Sequence, residues 1–335
     1  MREYKEAQNN RILVHSKLRQ SVEDDDGLQP ITFVVCADTQ IGMYSDNKEW
    51  ETELVHSRVA IRLINELTPR PKFCCVCGDL TDMEHTFWKT QEQAKLFTKE
   101  QCDEIQVQQR KDFQTTWSTL HEDIALVCVC GNHDVGNRPT KDSLDKFKDF
   151  FGDDYLAFWS SRYSYNIVVN TNLFSNPSGA LDLYAAQLKW LEERLNYAQS
   201  NNATSIFVFG HHPWFLYRED EEKDSMPGIC AWKHWRFPDN YFHIPKEYRM
   251  PVMDLFRKFN VTAAFSGHFH QNHLAQSSFG MEMIITSSLS EVFVSSGKPK
   301  DFAEPNSRGV RIVKVNKDGT FDHKFVSLPE SDDAT

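Results

Sequence analysis

Five short apolar runs in this chain each end in a polar cluster, and together these clusters constrain the fold more than any other feature. ITFVVCAD from Ile31 leads into Asp38-Thr39-Gln40, and KFCCVCGD from Lys72 into Gly78-Asp79-Leu80-Thr81-Asp82. IALVCVCGN from Ile124 leads into Gly131-Asn132-His133-Asp134, SIFVFGHH from Ser205 into Gly210-His211-His212, and VTAAFSGH from Val261 into Gly267-His268-Phe269-His270. Each run has the length and the β-branched or aromatic content of a buried strand. The C-terminal ends of strands in an α/β sheet share an edge, which is where such sheets place their sites. An isolated Asp at a strand end is usually a turn or cap residue, and a lone His is usually a surface or satisfied core group. Five clusters in equivalent positions are not what chance supplies. Because they span residues 38 to 270 and must meet at one point, one large domain is expected, although 335 residues would suit two by length alone.

Three more strand-like runs follow the same rhythm: YSYNIVVN from Tyr163, MEMIITS from Met281 and VRIVKVN from Val310. Apolar runs alternating with helical stretches indicate an α/β protein. One helix is expected after the first run, capped by Asp46 or Asn47, with Glu49 and Glu51 in its first turn and Pro69 beyond its end. Trp50, Leu54, Ile61 and Ile64 give it an apolar face. A second starts near Ala185, with Leu188, Leu191 and Leu195 at helical spacing. Residues 83–122 read as helical but rich in Gln, Lys and Glu, a solvated element. Residues 1–29 read as a polar extension, 30–328 as the domain and 329–335 as a polar tail. Within the domain, residues 213–251 carry prolines, the acidic run Glu219 to Glu222, and Trp232, Trp235, Phe237 and Tyr241. A loop of that length is either a lid or disordered, and the aromatics favour an ordered lid.

Composition removes several classes of function. With 37 basic and 48 acidic side chains the formal net charge is −11, which argues against wrapping a phosphate backbone, so no nucleic-acid partner is expected. No apolar run approaches the ~20 residues of a membrane span. The first 30 residues lack an apolar signal core, so a reducing, cytoplasmic setting is expected. The eight cysteines agree: Cys74, Cys75, Cys77, Cys128 and Cys130 lie in apolar runs, where thiols serve as small hydrophobic groups. Two C-x-C pairs leave a metal reading open, against the usual C-x₂₋₄-C spacing of zinc sites. No Walker loop or G-x-S-x-G elbow is present.

Taken in order, D-x-(H/Q), G-D-x-x-D, G-N-H-D, G-H and G-H-x-H resemble the calcineurin-like metallophosphoesterases, from about Ile31 to Ser327. The resemblance implies a four-layer αββα sandwich of two mixed sheets with metals at one rim. It also implies a ligand set: Asp38, Gln40 and His270 for one divalent ion, Asn132, His211 and His268 for a second, and Asp79 between them. A carboxylate can bridge two cations about 3.5–4 Å apart, and a water held there would attack phosphorus in line. His133 matches the family's catalytic histidine, and Asp82 would hold its other ring nitrogen; a plain helix N-cap is the alternative for Asp82. Asp134 is expected to orient the loop.

Gln40 departs from the common pattern of the superfamily, which has His there. Its neutral, hard amide oxygen favours Mg²⁺ or Mn²⁺ over Zn²⁺, with Fe or Zn still open. The activity implied is hydrolysis of phosphoserine or phosphothreonine in proteins, with a protein kinase B type kinase as a plausible substrate. An acidic lid would suit a peptide with basic residues, and His212, His234, His243, Arg218 and Lys233 are candidates for reading phosphate. A phosphodiesterase or nucleotide hydrolase is the alternative, since the fold supports both and lid aromatics could stack a base. A non-catalytic scaffold would be signalled by loss of Asp79, Asn132 or His133; all three are present.

Overall fold

The computed structural model describes residues 11–13, 15–25, 29–83, 96–222, 228–233, 235–297 and 304–329. The strands in chain order are β1 (Ile31–Cys36), β2 (Phe73–Val76), β3 (Ala125–Cys128), β4 (Leu156–Trp159), β5 (Ser164–Val168), β6 (Ser205–Phe209) and β7 (Ile229–Trp232). They continue as β8 (Trp235–Pro238), β9 (Ala263–Ser266), β10 (His273–Gln276), β11 (Glu282–Ile285), β12 (Val294–Ser295), β13 (Gly309–Val315) and β14 (Phe321–Ser327). The helices are α1 (Ser16–Glu23), α2 (Glu51–Glu66), α3 (Lys99–Trp117), α4 (Asn132–Val135), α5 (Lys141–Phe151), α6 (Asn172–Ser175), α7 (Leu181–Ser200) and α8 (Lys246–Lys258).

One sheet runs β14-β13-β1-β2-β3 and the other β10-β11-β9-β6-β5-β4. Both are mixed: β1, β2 and β3 are parallel to one another, as are β5, β6, β9 and β11; antiparallel β13 and β14 complete the first sheet on one side, and antiparallel β10 and β4 form the two edges of the second. Strand alternation divides the apolar residues between two faces. Phe33, Phe73, Phe207, Phe209 and Phe265 meet between the sheets, with Val35, Val127 and Val313 around them. On the outer face of the first sheet, Val34, Cys74 and Val76 pack under Ile61 and Ile64 of α2, Phe113 and Trp117 of α3, and Phe147 of α5. On the outer face of the second, Ile167, Val208 and Ile285 pack under Leu191 and Leu195 of α7 and Val252 and Phe256 of α8. The result is the expected αββα sandwich. Every cysteine is a free, buried thiol, so the C-x-C pairs are core residues.

Three local expectations need correction. Helix α2 begins at Glu51 with Trp50 as its N-cap and no side-chain cap, so neither Asp46 nor Asn47 caps it; its first turn carries Glu51 and Glu53 instead of Glu49. Helix α3 is not simply solvated. Thr98 and Gln101 form its capping box, and it buries Phe113 and Trp117 together with Gln106, Gln109 and Arg110. Charge content hid a helix with one face exposed and the other burying polar as well as apolar side chains; the part of this stretch at 84–95 lies outside the described residues.

The 213–251 stretch is more regular than a loop. β7 and β8 pair and are joined by β12 into a three-stranded sheet, and Pro251 lies within α8. Of its acidic run, Glu219 and Glu221 are buried while Asp220 and Glu222 are exposed. Glu221 accepts the backbone N–H groups of Leu216, Tyr217 and Arg218, Glu219 pairs with Arg257, Asp220 with Arg218, and Glu222 with Lys246. Glu219 and Glu221 are thus taken up by the chain's own backbone and Arg257, while Asp220 and Glu222 keep their charge at the surface, in solvent-exposed pairs. Among the described residues no helix is long and apolar enough to cross a membrane.

Phe33 is fully buried, stacked on Phe73 at 4.7 Å and edge-on to Phe207, Phe209 and Phe265. Phe33→Ala should therefore cost about 3–5 kcal/mol of stability, read as a lowered midpoint in denaturant unfolding at an unchanged slope.

Candidate metal centre

The five clusters all follow parallel strands. Those after β1, β2 and β3 come from one sheet, and those after β6 and β9 from the other, so the site forms at the rim where the two sheets' C-terminal edges meet. Asp38, Gln40, Asp79, Asn132, His211, His268 and His270 are all buried there. Ligand atoms of Asp79, His211 and His268 lie within 4.8 Å of one another. Asp79 Oδ2 is 3.2 Å from His211 Nε2, Asn132 Oδ1 is 3.0 Å from the same nitrogen, and Asp38 Oδ1 is 3.4 Å from His270 Nε2.

The backbone is forced into unusual shapes to achieve this. Asp38, Gln40, Asp79, His268 and His270 all have positive φ, between 35° and 65°. L side chains adopt this region at a cost of roughly 1–2 kcal/mol each, so the strain is concentrated on the site. Two of the glycines are required by proximity. A Cβ on Gly131 would sit 2.1 Å from Asp79 Oδ1, and one on Gly267 would sit 2.4 Å from Asp38 Oδ2.

The donor set suits divalent cations. His211 Nδ1 faces the Cys77 carbonyl at 2.9 Å and His270 Nδ1 the Glu291 carbonyl at 2.7 Å. Each ring donates from Nδ1 there, which turns Nε2 toward carboxylate and amide oxygens. Lone pairs facing lone pairs are stable only with a proton or a cation between them. Gln40 Oε1 is buried with no hydrogen-bond partner, a donor atom left over for a metal.

The titration behaviour reflects the same crowding. Burial pushes Asp79 up, but the charges of His211 and His133 overcome it and hold the carboxyl well below its usual range. Burial opposes charge on His211 and His133, yet Asp79 raises them to about 9 and about 10, with Asp38 assisting the first and Asp82 the second. Burial, with repulsion from neighbouring rings, drives His268 and His212 well below the ordinary value; burial alone accounts for most of the drop of His270 to about 4. These last rings are neutral lone-pair donors.

His133 sits at the edge of the cluster. Its backbone N–H donates to Asp79 Oδ1 at 2.8 Å, and its Nδ1 is 3.1 Å from both the side-chain Oδ1 and the carbonyl of Asp82. Asp82 is in turn gripped by Asn47 Nδ2 at 2.6 Å and Gln40 Nε2 at 3.2 Å, and Gln109 Nε2 holds Asn47 Oδ1 at 2.7 Å. Asp134 orients its loop, accepting the N–H groups of Gly131, Leu80 and Thr81.

Sequence reasoning missed Asn47, Gln109 and Thr171. The Thr171 hydroxyl accepts the N–H groups of His211 and His212 and contacts His212 Nδ1 at 3.2 Å. A signal existed for Thr171, because β5 also ends in a polar run, Asn170-Thr171-Asn172. None existed for Gln109, which lies on a helix remote in sequence. Of the other phosphate-reading candidates, His243 is buried against Arg249 and the Ile244 carbonyl, Arg218 pairs with Asp220, and His234 lies outside the described residues.

Fold and site together define a metal-dependent phosphoesterase. The comparisons agree: the family description "Calcineurin-like phosphoesterase" matches residues 31–272. The chain belongs to this family, and with that membership goes phosphoester hydrolysis dependent on divalent metal ions. It is similar to the serine/threonine-protein phosphatase CPPED1 of Pongo abelii, 31% identical over 312 residues, covering 90% of this chain and 85% of the relative. The Homo sapiens CPPED1 is 30% identical over the same length and coverage. Among solved structures, a dimetal phosphatase from Danio rerio superposes with a TM-score of 0.53 at 14% identity, covering 90% of this chain and all of the other, which supports the fold.

Asn47 is the link between α3 and Asp82. Asn47→Ala should lower turnover or metal affinity by about 10–100-fold with the fold intact, measured by phosphate release beside metal content and circular dichroism.

Proposed function

We propose that this protein is a serine/threonine protein phosphatase with two divalent cations in its site. The observation that carries the reading is full-length similarity to phosphatases of that name, in a chain whose rim brings together both aspartates, the amides and the three histidines. Asp38, Gln40 and His270 would hold one cation, Asn132, His211 and His268 the other, and Asp79 both. When bound, such cations acidify a water and offset charge on the phosphoryl oxygens.

The chain's own residues would do the rest. Asn132 Nδ2 is buried without an acceptor, and a phosphoryl oxygen would supply one. His133, with Nδ1 engaged by Asp82, would deliver its proton from Nε2 to the departing seryl or threonyl oxygen. Asp82 orients that ring and favours its charged form. The strained loops keep these groups fixed, so little reorganisation accompanies the reaction.

Manganese or magnesium is the proposed metal, because Gln40 offers a neutral hard oxygen where an imidazole would favour zinc. A cytoplasmic setting and a protein kinase B type substrate belong to the same proposal, the second resting on resemblance alone. With Glu219 and Glu221 buried, Asp220 and Glu222 are the part of the acidic run left at the surface to face a peptide.

The reading is tested by phosphate release from p-nitrophenyl phosphate and a phosphoserine peptide, with and without Mn²⁺ or Mg²⁺. Turnover on both should require metal and should fall more than about 100-fold in Asp79→Asn. Activity confined to diesters or nucleotides would replace the proposal with the alternative hydrolase. Gln40→His should shift the preference toward Zn²⁺, seen as a higher ratio of zinc to manganese bound in competition.

A further inference from the structure

The insertion returns two rings to His268 at the rim of the site, the buried Phe242 at 5.3 Å and the more exposed Tyr241. Tyr241, in the turn at Asp239–Tyr241, has its ring 5.4 Å from that of His268. It stacks on Phe237 at 5.0 Å and meets Phe242 edge-on at 5.1 Å. Asn137, just beyond α4 and His133, lies on the side of the hydroxyl. Despite these contacts the residue is 39% exposed. Packing alone does not call for this hydroxyl, since Phe would make the same stacks.

The turn is held firmly. Asp239 accepts hydrogen bonds from Tyr217 Oη at 2.7 Å and Ser295 Oγ at 2.9 Å. At the tip of the β7–β8 pair, Lys233 Nζ donates to the Tyr44 carbonyl at 2.9 Å. The insertion is therefore attached to the loop after Gln40 through Lys233 and packed on His268 through Tyr241 and Phe242. A donor fixed in this way has lost its rotamer entropy before any ligand arrives.

We propose that Tyr241 is a substrate-positioning residue: its hydroxyl, held at the rim by the packing of its ring, donates to a phosphoryl oxygen, and the exposed part of the ring lines the path of the chain flanking the phosphoserine. A phosphate monoester brings more oxygens than two metals and Asn132 can satisfy, and a neutral phenol adds a donor without adding charge. The part of the proposal concerning the peptide rests on the protein phosphatase reading; the part concerning the phosphoryl oxygen does not.

The test compares Tyr241→Phe and Tyr241→Ala with the unaltered protein on p-nitrophenyl phosphate and a phosphoserine peptide, alongside inhibition by inorganic phosphate and metal content. Tyr241→Phe should raise KM on both substrates and weaken phosphate inhibition about tenfold, the worth of one hydrogen bond to a charged group, with kcat within about twofold. Tyr241→Ala should add a further loss on the peptide alone. Unchanged KM and phosphate inhibition in Tyr241→Phe would overturn the hydroxyl's role, and equal losses in Tyr241→Ala on both substrates would overturn the ring's. Metal lost together with activity would also overturn the proposal, making Tyr241 a support for His268. If the unaltered protein cleaves p-nitrophenyl phosphate but not the peptide, the protein phosphatase reading fails, while the phosphate arm still decides the hydroxyl.

Discussion

The Asp79 carboxylate is the point on which the rest of the site depends. It is buried beneath both sheets' edges, takes the His133 N–H at 2.8 Å, and faces His211 Nε2 at 3.2 Å. Burying a charge is costly unless opposite charge and hydrogen bonds surround it. Nearly every local oddity answers that requirement. Gly131 lacks a Cβ because Asp79 occupies the space, α4 starts where it does so that its N-terminal N–H groups point at carboxylates, and His211 is turned by the Cys77 carbonyl to present Nε2.

Such an arrangement is strained, and the strain has to be outweighed elsewhere. Five of the proposed ligands sit at positive φ, in segments that leave their strands just before the site. The five phenylalanines between the sheets hold the strand ends at a set separation, so the loops cannot relax without disturbing a close-packed interior. Stability is thus supplied by the apolar layers and spent at the rim. A preorganised, charge-dense edge is what phosphoryl transfer requires, because its transition state is stabilised mainly by positioned charge and not by covalent chemistry from the protein.

Much of this was legible in the order of residues. The strand-like runs announced an α/β protein, the family resemblance implied its sandwich of two mixed sheets, and polar clusters at the strand ends named the residues that the structure gathers. What misled was local composition. The acidic stretch Glu219 to Glu222 suggested a uniformly acidic lid, yet Glu221 is buried on three backbone N–H groups and Glu219 on Arg257. The Gln-rich stretch suggested a solvated helix, yet Gln109 reaches the site through Asn47. A polar side chain carries no mark in sequence of whether water or a distant backbone will satisfy it.

By itself, the sequence determined the strand-like runs and the polar clusters that hold the candidate ligands, because runs of apolar residues and the chemistry of Asp, Asn, Gln and His are properties of short segments; the layers came from the resemblance those clusters carry. Only the tertiary structure decided which atoms face each other: that Asp82 reaches His133, that α3 supports Asp82 through Asn47, and that Tyr241 returns over the rim. Those contacts join segments far apart in the chain, and they arise from how two twisted sheets meet. No local pattern encodes that meeting.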